Sequence, residues 1–192
     1  MDKPSKKQIR IWGERILASD RKAFNSLFRS LYPRLIRYAG SYNRNRAVAR
    51  DIVQDAFVAL WEKRDQLEPD RSITGYLYSI VRNKSLNYIR DHSREAVGLL
   101  EDRPLKAAEE SEGRHEKERL VALLKGWISQ LPDRQREAFE LSRFEGLEHD
   151  EIAEVMEVSP NTVNNHIVAA LKTLRDQCDT YKMKQMEDPR YE

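Results

Sequence analysis

The residues of this chain best suited to chemistry with a nucleic acid are an aromatic, two amides and two arginines between positions 76 and 94. Along an unbroken helix, Tyr76, Asn83, Asn87, Arg90 and Arg94 fall at offsets of 7, 11, 14 and 18, close to whole turns of about 3.6 residues. They form one stripe. Such a set can stack an unpaired base, satisfy its edge and hold the backbone of a single strand. The segment Arg71 to Arg94 carries Arg71, Arg82, Lys84, Arg90 and Arg94 against Asp91 alone, a net of +4. Ile73, Leu77, Ile80 and Val81 point toward a core about a quarter-turn away, with Leu86 and Ile89 outside both faces. The plainer reading of the same residues is core tyrosines and solvated arginines.

A second group lies near the C-terminus. Glu151 to Met156 reads as a short helix, followed by a turn and by Ser159-Pro160-Asn161-Thr162-Val163 opening another helix. Ser159 is a good N-cap, and Pro160 at the first helical position gives up only an N–H that has no helical partner. Val163, Ile167, Ala170, Leu171 and Leu174 recur at spacings of three and four, which defines a core face. The opposite face holds Asn161, Asn164, Asn165, Val168, Lys172 and Arg175. Amides can pair with base edges, Val168 can touch a thymine methyl, and the two cations suit phosphates. Helix, turn and helix together read as a helix-turn-helix, a device that places its second helix in the major groove.

These residues need a scaffold, and composition indicates which. The chain has 192 residues, 40% hydrophobic and 34% charged, with a net charge of +2 and seven glycines. Its mean hydropathy is −0.77. With almost no strand-like alternation, the expectation is an all-α protein with helices near 6–18, 21–40, 46–65, 74–92, 116–130, 133–144, 149–156 and 160–177. Between Glu95 and Arg114 the apolar pattern dissolves among acids, Gly98, Pro104 and Gly113, as expected of a solvated tether. The predicted organisation is two small helical domains, 1–94 and 116–180, joined by a flexible acidic linker at 95–115 and followed by a polar tail at 181–192. No apolar run approaches the roughly 18 residues of a membrane span, and the polar start lacks a secretory segment. The expectation is a cytoplasmic protein without membrane insertion. The lone Cys178 allows no internal disulfide, and His92, His115, His149 and His166 lack ligand spacing. No metal site, cofactor or catalytic residue is expected, because no Ser/His/Asp set, phosphate loop or zinc-helix motif is present.

The helix from Val48 to Asp65 has a different character. Ile52, Val53, Ala56, Phe57 and Leu60 build an apolar face, whereas Asp51, Asp55, Val58 and Glu62 share another. Residues 50–70 hold Asp51, Asp55, Glu62, Asp65, Glu68 and Asp70 against Arg50, Lys63 and Arg64, a net of −3. An acidic surface repels DNA and suits a protein partner, or is simply solvated.

Taken in order, Ala23 to Phe28, Leu31 to Leu35, Asp51 to Trp61, Gly75 to Asn83, Leu131-Pro132 and the helix-turn-helix resemble the extracytoplasmic-function sigma factors of bacteria, from about residue 9 to residue 176. The resemblance implies a transcription initiation factor that binds core RNA polymerase, directs it to promoters and helps open the duplex. It implies that Asp51, Gln54, Asp55 and Val58 grip the clamp helices of the largest subunit. By the same likeness the loop Gln66 to Thr74, with Tyr76, Arg82, Asn83, Asn87 and Arg90, serves the minus-ten element, where Asn83 meets a flipped base. In the minus-thirty-five reader, Ser159 caps the helix, Asn161, Asn164, Asn165 and Val168 face bases, and Thr162, Lys172 and Arg175 face phosphates. The stretch Leu131 to Phe144 resembles the part that docks on the polymerase flap, and the family implies an anti-sigma partner. The chain departs from the pattern at Tyr76, where tryptophan is frequent, and at Asn164, where a cation is common. Glu148 stands where a capping serine is usual, and Glu157 fills a turn position often held by glycine.

Residues 126–158 contain nine acids and three bases, a net of −6, beside a helix of net +1 over 160–177. Cations supply most sequence-independent DNA affinity, so tight promoter binding is expected only when polymerase holds both domains in register. A repressor or activator with residues 1–94 as an oligomerisation module is one alternative. A helical protein that binds only other proteins is another.

Overall fold

The computed structural model describes residues 4–42, 45–67, 72–92 and 112–186. Among these residues there are eight α-helices and no strands: α1 (Lys6–Leu17), α2 (Arg21–Tyr42), α3 (Arg46–Glu62), α4 (Ile73–His92), α5 (Glu112–Ser129), α6 (Asp133–Glu140), α7 (His149–Met156) and α8 (Pro160–Met186). No helix among them is long and apolar enough to cross a membrane. The all-helical expectation holds, and the predicted helix boundaries are mostly met within a few residues.

Two boundaries move. The last four residues of the predicted linker already belong to α5, while 95–111 lie outside the described residues. The helix predicted to end near 177 continues to Met186, so the predicted tail begins as helix and only its end, 187–192, lies outside. The chain gathers into two compact units, one comprising Met1–Leu99 with Asp150–Glu157 and the other Leu100–His149 with Val158–Glu192. Residues 150–157, assigned by sequence to the C-terminal module, therefore group with the first unit in this structure.

In the first unit α2, α3 and α4 pack against one another, and α1 packs on α2 and α4. Ser5 caps α1, its Oγ accepting from the Gln8 N–H at 3.1 Å. The chain then reverses at Ser19, which takes a left-handed φ of 59°. Asp20 starts α2, accepting from the N–H groups of Lys22 and Ala23 at 2.7 and 3.1 Å. Those bonds favour the ionised carboxyl: the Ala23 N–H is the strongest influence lowering its pKa, burial opposes it, and the Lys22 N–H and Arg15 assist.

The core is continuous. Leu27, Leu31 and Leu35 of α2, Val53, Ala56 and Leu60 of α3, and Leu77, Tyr78 and Val81 of α4 are fully buried, as the i, i+3, i+4 spacing requires. Phe57 sits among Phe24 and Phe28 with ring centroids 6.0 and 4.7 Å away, and Tyr38 meets Tyr78 edge-on at 5.0 Å.

The second unit is thinner. Leu131, Phe139 and Ala170 form its buried centre, with Ile128 and Leu174 packed against them. Pro132 precedes α6, and Arg136 ties that helix back to the Ser129 carbonyl at 3.0 Å while pairing with Asp133 in its own first turn at 2.6 Å. After α6 the chain makes a π-turn, Leu141–Glu145, that ends at Gly146 with φ 71°. The Leu147 N–H donates to the Leu141 carbonyl at 3.1 Å, closing the helix end as a left-handed glycine allows.

Candidate nucleic-acid interface

The α4 stripe is divided by depth. Asn83, Asn87 and Arg90 are exposed and Tyr76 is half-buried. Arg94 lies outside the described residues. Arg82 is the exception, only 4% exposed, and it does not share the surface with the others. The reason is helical phase: Tyr78, Val81, Arg82 and Ser85 are spaced i, i+3, i+4, i+7 and all turn inward. Arg82 thus belongs to the buried side of α4 together with Tyr78, whose ring meets Tyr38 of α2. Of the predicted loop Gln66 to Thr74, residues 68–71 lie outside the described residues.

Beside this stripe α3 presents its acidic side. Asp51, Gln54, Asp55 and Val58 are all exposed, Val58 to 54%. Their helix buries Ile52, Val53, Ala56, Phe57 and Leu60, so the two predicted faces are both present. One link was not foreseen. The Lys84 ammonium donates to Asp55 Oδ2 at 2.8 Å, joining α4 to α3 across 29 residues of chain. The net charges of the two helices were a signal that they could pair, but only the packing register says which cation meets which acid.

In the C-terminal segment Glu157 takes a left-handed φ of 57°. A residue with a Cβ pays on the order of 1 kcal/mol for that, and glycine would not. Ser159 caps α8 as predicted, accepting from the Thr162 N–H at 3.1 Å, while its hydroxyl lies 2.8 Å from that of Thr162. Thr162 is half-buried and already engaged at the cap. Asn161, Asn164, Asn165, Val168, Lys172 and Arg175 are exposed on one side of α8, opposite the buried Val163 and Ala170. Leu171 departs from its predicted core place and is 47% exposed, because it lies at the edge of the face that Ala170 and Leu174 bury.

The predicted flap-docking stretch is mixed. Leu131, Ala138 and Phe139 are buried, whereas Phe144, on the π-turn, is 51% exposed and meets Phe139 edge-on at 6.0 Å. An exposed aromatic on a π-turn is a feature that periodicity misses, since the extra residue per turn breaks the 3.6 spacing. Nearby, burial is the main cause that raises the Glu140 carboxyl above its ordinary pKa. Arg136 opposes the rise, and Glu145 and Glu137 add to it.

Comparison with known proteins is consistent along the chain. The sigma-70 region 2 family matches residues 27–95 and the sigma-70 region 4 family residues 124–174. Over 171 residues the chain is 26% identical to the RNA polymerase sigma-H factor of Pseudomonas aeruginosa and 28% to the ECF RNA polymerase sigma-E factor of Escherichia coli, spanning 84% of this chain and 89% of either relative. Among solved structures it is similar to CnrH in complex with the cytosolic domain of CnrY, with a TM-score of 0.60, 25% identity, and coverage of 90% of this chain and 98% of that one. The fold also matches the sigma factor RpoE in complex with the anti-sigma factor NepR from Bartonella quintana, with a TM-score of 0.62, 23% identity, and coverage of 82% and 98%.

Proposed function

We propose a division of labour between surfaces of a chain whose family is known: it belongs to the sigma-70 family, in its extracytoplasmic-function group, and is a promoter-specific transcription initiation factor. Its partners are core RNA polymerase and promoter DNA. In this reading the outer face of α3, with Asp51, Gln54, Asp55 and Val58, grips the clamp helices of the polymerase's largest subunit. On α4, Tyr76, Asn83, Asn87 and Arg90 engage the minus-ten element as one strand, Asn83 satisfying the edge of a flipped base. Arg82 acts from within, as a positioning residue.

The exposed side of α8 enters the duplex at the minus-thirty-five element, with Asn161, Asn164, Asn165 and Val168 toward bases and Lys172 and Arg175 toward phosphates. Ser159 and Thr162 fix the helix start. The stretch Leu131 to Phe144 docks on the flap, Phe144 leading. The chain catalyses nothing itself and works in the cytoplasm. By analogy with the Bartonella quintana complex, an anti-sigma factor holds it when idle.

One observation carries this reading: the four α3 residues are exposed together while the apolar side of the same helix is buried. A solvated face needs no such grouping of two acids, an amide and a half-exposed valine beside a helix of net opposite charge. A repressor using residues 1–94 to oligomerise would need no polymerase. Immobilised full-length chain should therefore retain core polymerase from a bacterial lysate at near-equal stoichiometry. Alanine at Asp51 and Asp55 together should weaken retention about tenfold, the equivalent of 1.4 kcal/mol, with the melting temperature unchanged. Equal retention by the variant would remove the assignment of this face.

A further inference from the structure

We propose that Lys84 is a DNA phosphate contact held in reserve by Asp55, and that polymerase docking on α3 releases it. The inference rests on the roles given above to α3 and α4. It begins with the Asp55–Lys84 bridge, 2.8 Å long between the two helices, with side chains 61% and 41% exposed. Both ends of this pair belong to working surfaces. Asp55 stands one turn after Asp51 on the outer face of α3, and Lys84 directly follows Asn83 and precedes Asn87 by one turn on α4.

In the free chain each charge cancels the other. The +4 counted over Arg71 to Arg94 therefore overstates the field that a DNA strand meets, because one of its cations, Lys84, is turned toward an acid. An exposed pair of this kind is weak and easily exchanged. A cationic polymerase surface arriving at Asp51 and Asp55 offers the Asp55 carboxylate a new partner and sets a like charge near Lys84, which favours its departure. The freed ammonium sits beside the amide-bearing stripe, within the reach of a four-carbon side chain from the same strand of DNA. A phosphate is its natural acceptor, and the contact adds affinity by counterion release. Asp55 thus suppresses DNA binding by the idle factor and lets it rise once the factor is mounted.

The charge can be freed without polymerase. Full-length Asp55→Asn should bind a fluorescent, random-sequence single-stranded oligonucleotide about threefold tighter than the unaltered chain at roughly 0.05 M salt. The slope of log affinity against log salt should steepen by about 0.7, the value for one added phosphate contact on a single strand. Two further variants separate Lys84 from bulk charge. In Asp55→Asn with Lys84→Gln the gain and the steeper slope should vanish. Asp51→Asn, which removes the same charge one turn earlier, should give a smaller gain that survives Lys84→Gln. The proposal is overturned if Asp55→Asn gains nothing, if its gain only equals that of Asp51→Asn, or if the gain persists without Lys84. Polymerase retention reads the α3 assignment independently: retention lost in the Asp51/Asp55 alanine variant, with no Lys84-dependent gain in DNA binding, sinks this proposal alone.

Discussion

The two ends of the molecule solve the problem of presenting a nucleic-acid surface in different ways. In the first unit α4 lies against a deep core in which Leu27, Leu31, Leu60, Leu77 and Tyr78 are fully buried, and its exposed stripe stands beside an acidic neighbour to which it is ion-paired. In the second unit α8 rests on a small centre of Leu131, Phe139 and Ala170. Leu120, Val121, Leu124, Phe144 and Leu171 there remain 39 to 51% exposed. The first unit has the larger fully buried core, although Val58, Leu86 and Ile89 stay exposed on α3 and α4, and it pairs one of its cations with an acid of its own. The second leaves more of its apolar side chains uncovered and carries a weakly cationic helix, an arrangement that makes sense when a partner completes it.

The contrast can be broken most severely by truncation. Leu77→Ala should destabilise the first unit by about 2–5 kcal/mol, as large-to-small changes at fully buried sites do, whereas Leu120→Ala in the second should stay within about 0.5 kcal/mol. Denaturant titration of the full chain, followed by a probe in either unit, measures both. Equal losses would mean that the second unit is covered in solution by something the exposure pattern does not reveal.

A smaller effect separates two neighbours on α4. Arg82→Ala should cost about 1–3 kcal/mol of stability, because it removes an almost fully buried polar side chain, while Asn83→Ala should leave stability alone and lower promoter opening by polymerase. If Arg82→Ala proves neutral to stability and instead weakens DNA binding like its neighbour, the inward placement is wrong. Smaller still, Glu157→Gly should raise stability by about 1 kcal/mol by relieving the left-handed turn. A loss would show that the Glu157 side chain contributes more than its backbone costs.

Sequence periodicity was sufficient for much of this. It located the helices, the apolar face of α3, the Ser159 cap and the strained position at Glu157, because each depends on neighbours within a few residues. It failed where the answer depends on what another helix covers. Arg82 was grouped with the DNA-facing residues by family likeness, yet the packing of α4 buries it. Leu171 has the spacing of a core residue, but the small second core does not reach it. The Lys84 to Asp55 bridge needs the register between α3 and α4, which no single helix encodes. Phe144 was hidden because a π-turn shifts the phase on which the reading relied.

The central claim is that the surfaces act jointly and only when polymerase holds them. It is tested most directly by transcription with purified core polymerase on a library of candidate promoters, with and without the full-length chain, alongside promoter binding by the chain alone at about 0.15 M salt. The account predicts RNA from discrete start sites only when chain and core are both present, and weak binding by the chain alone. Absence of chain-dependent RNA on every template, or tight and specific promoter binding without polymerase, would contradict it.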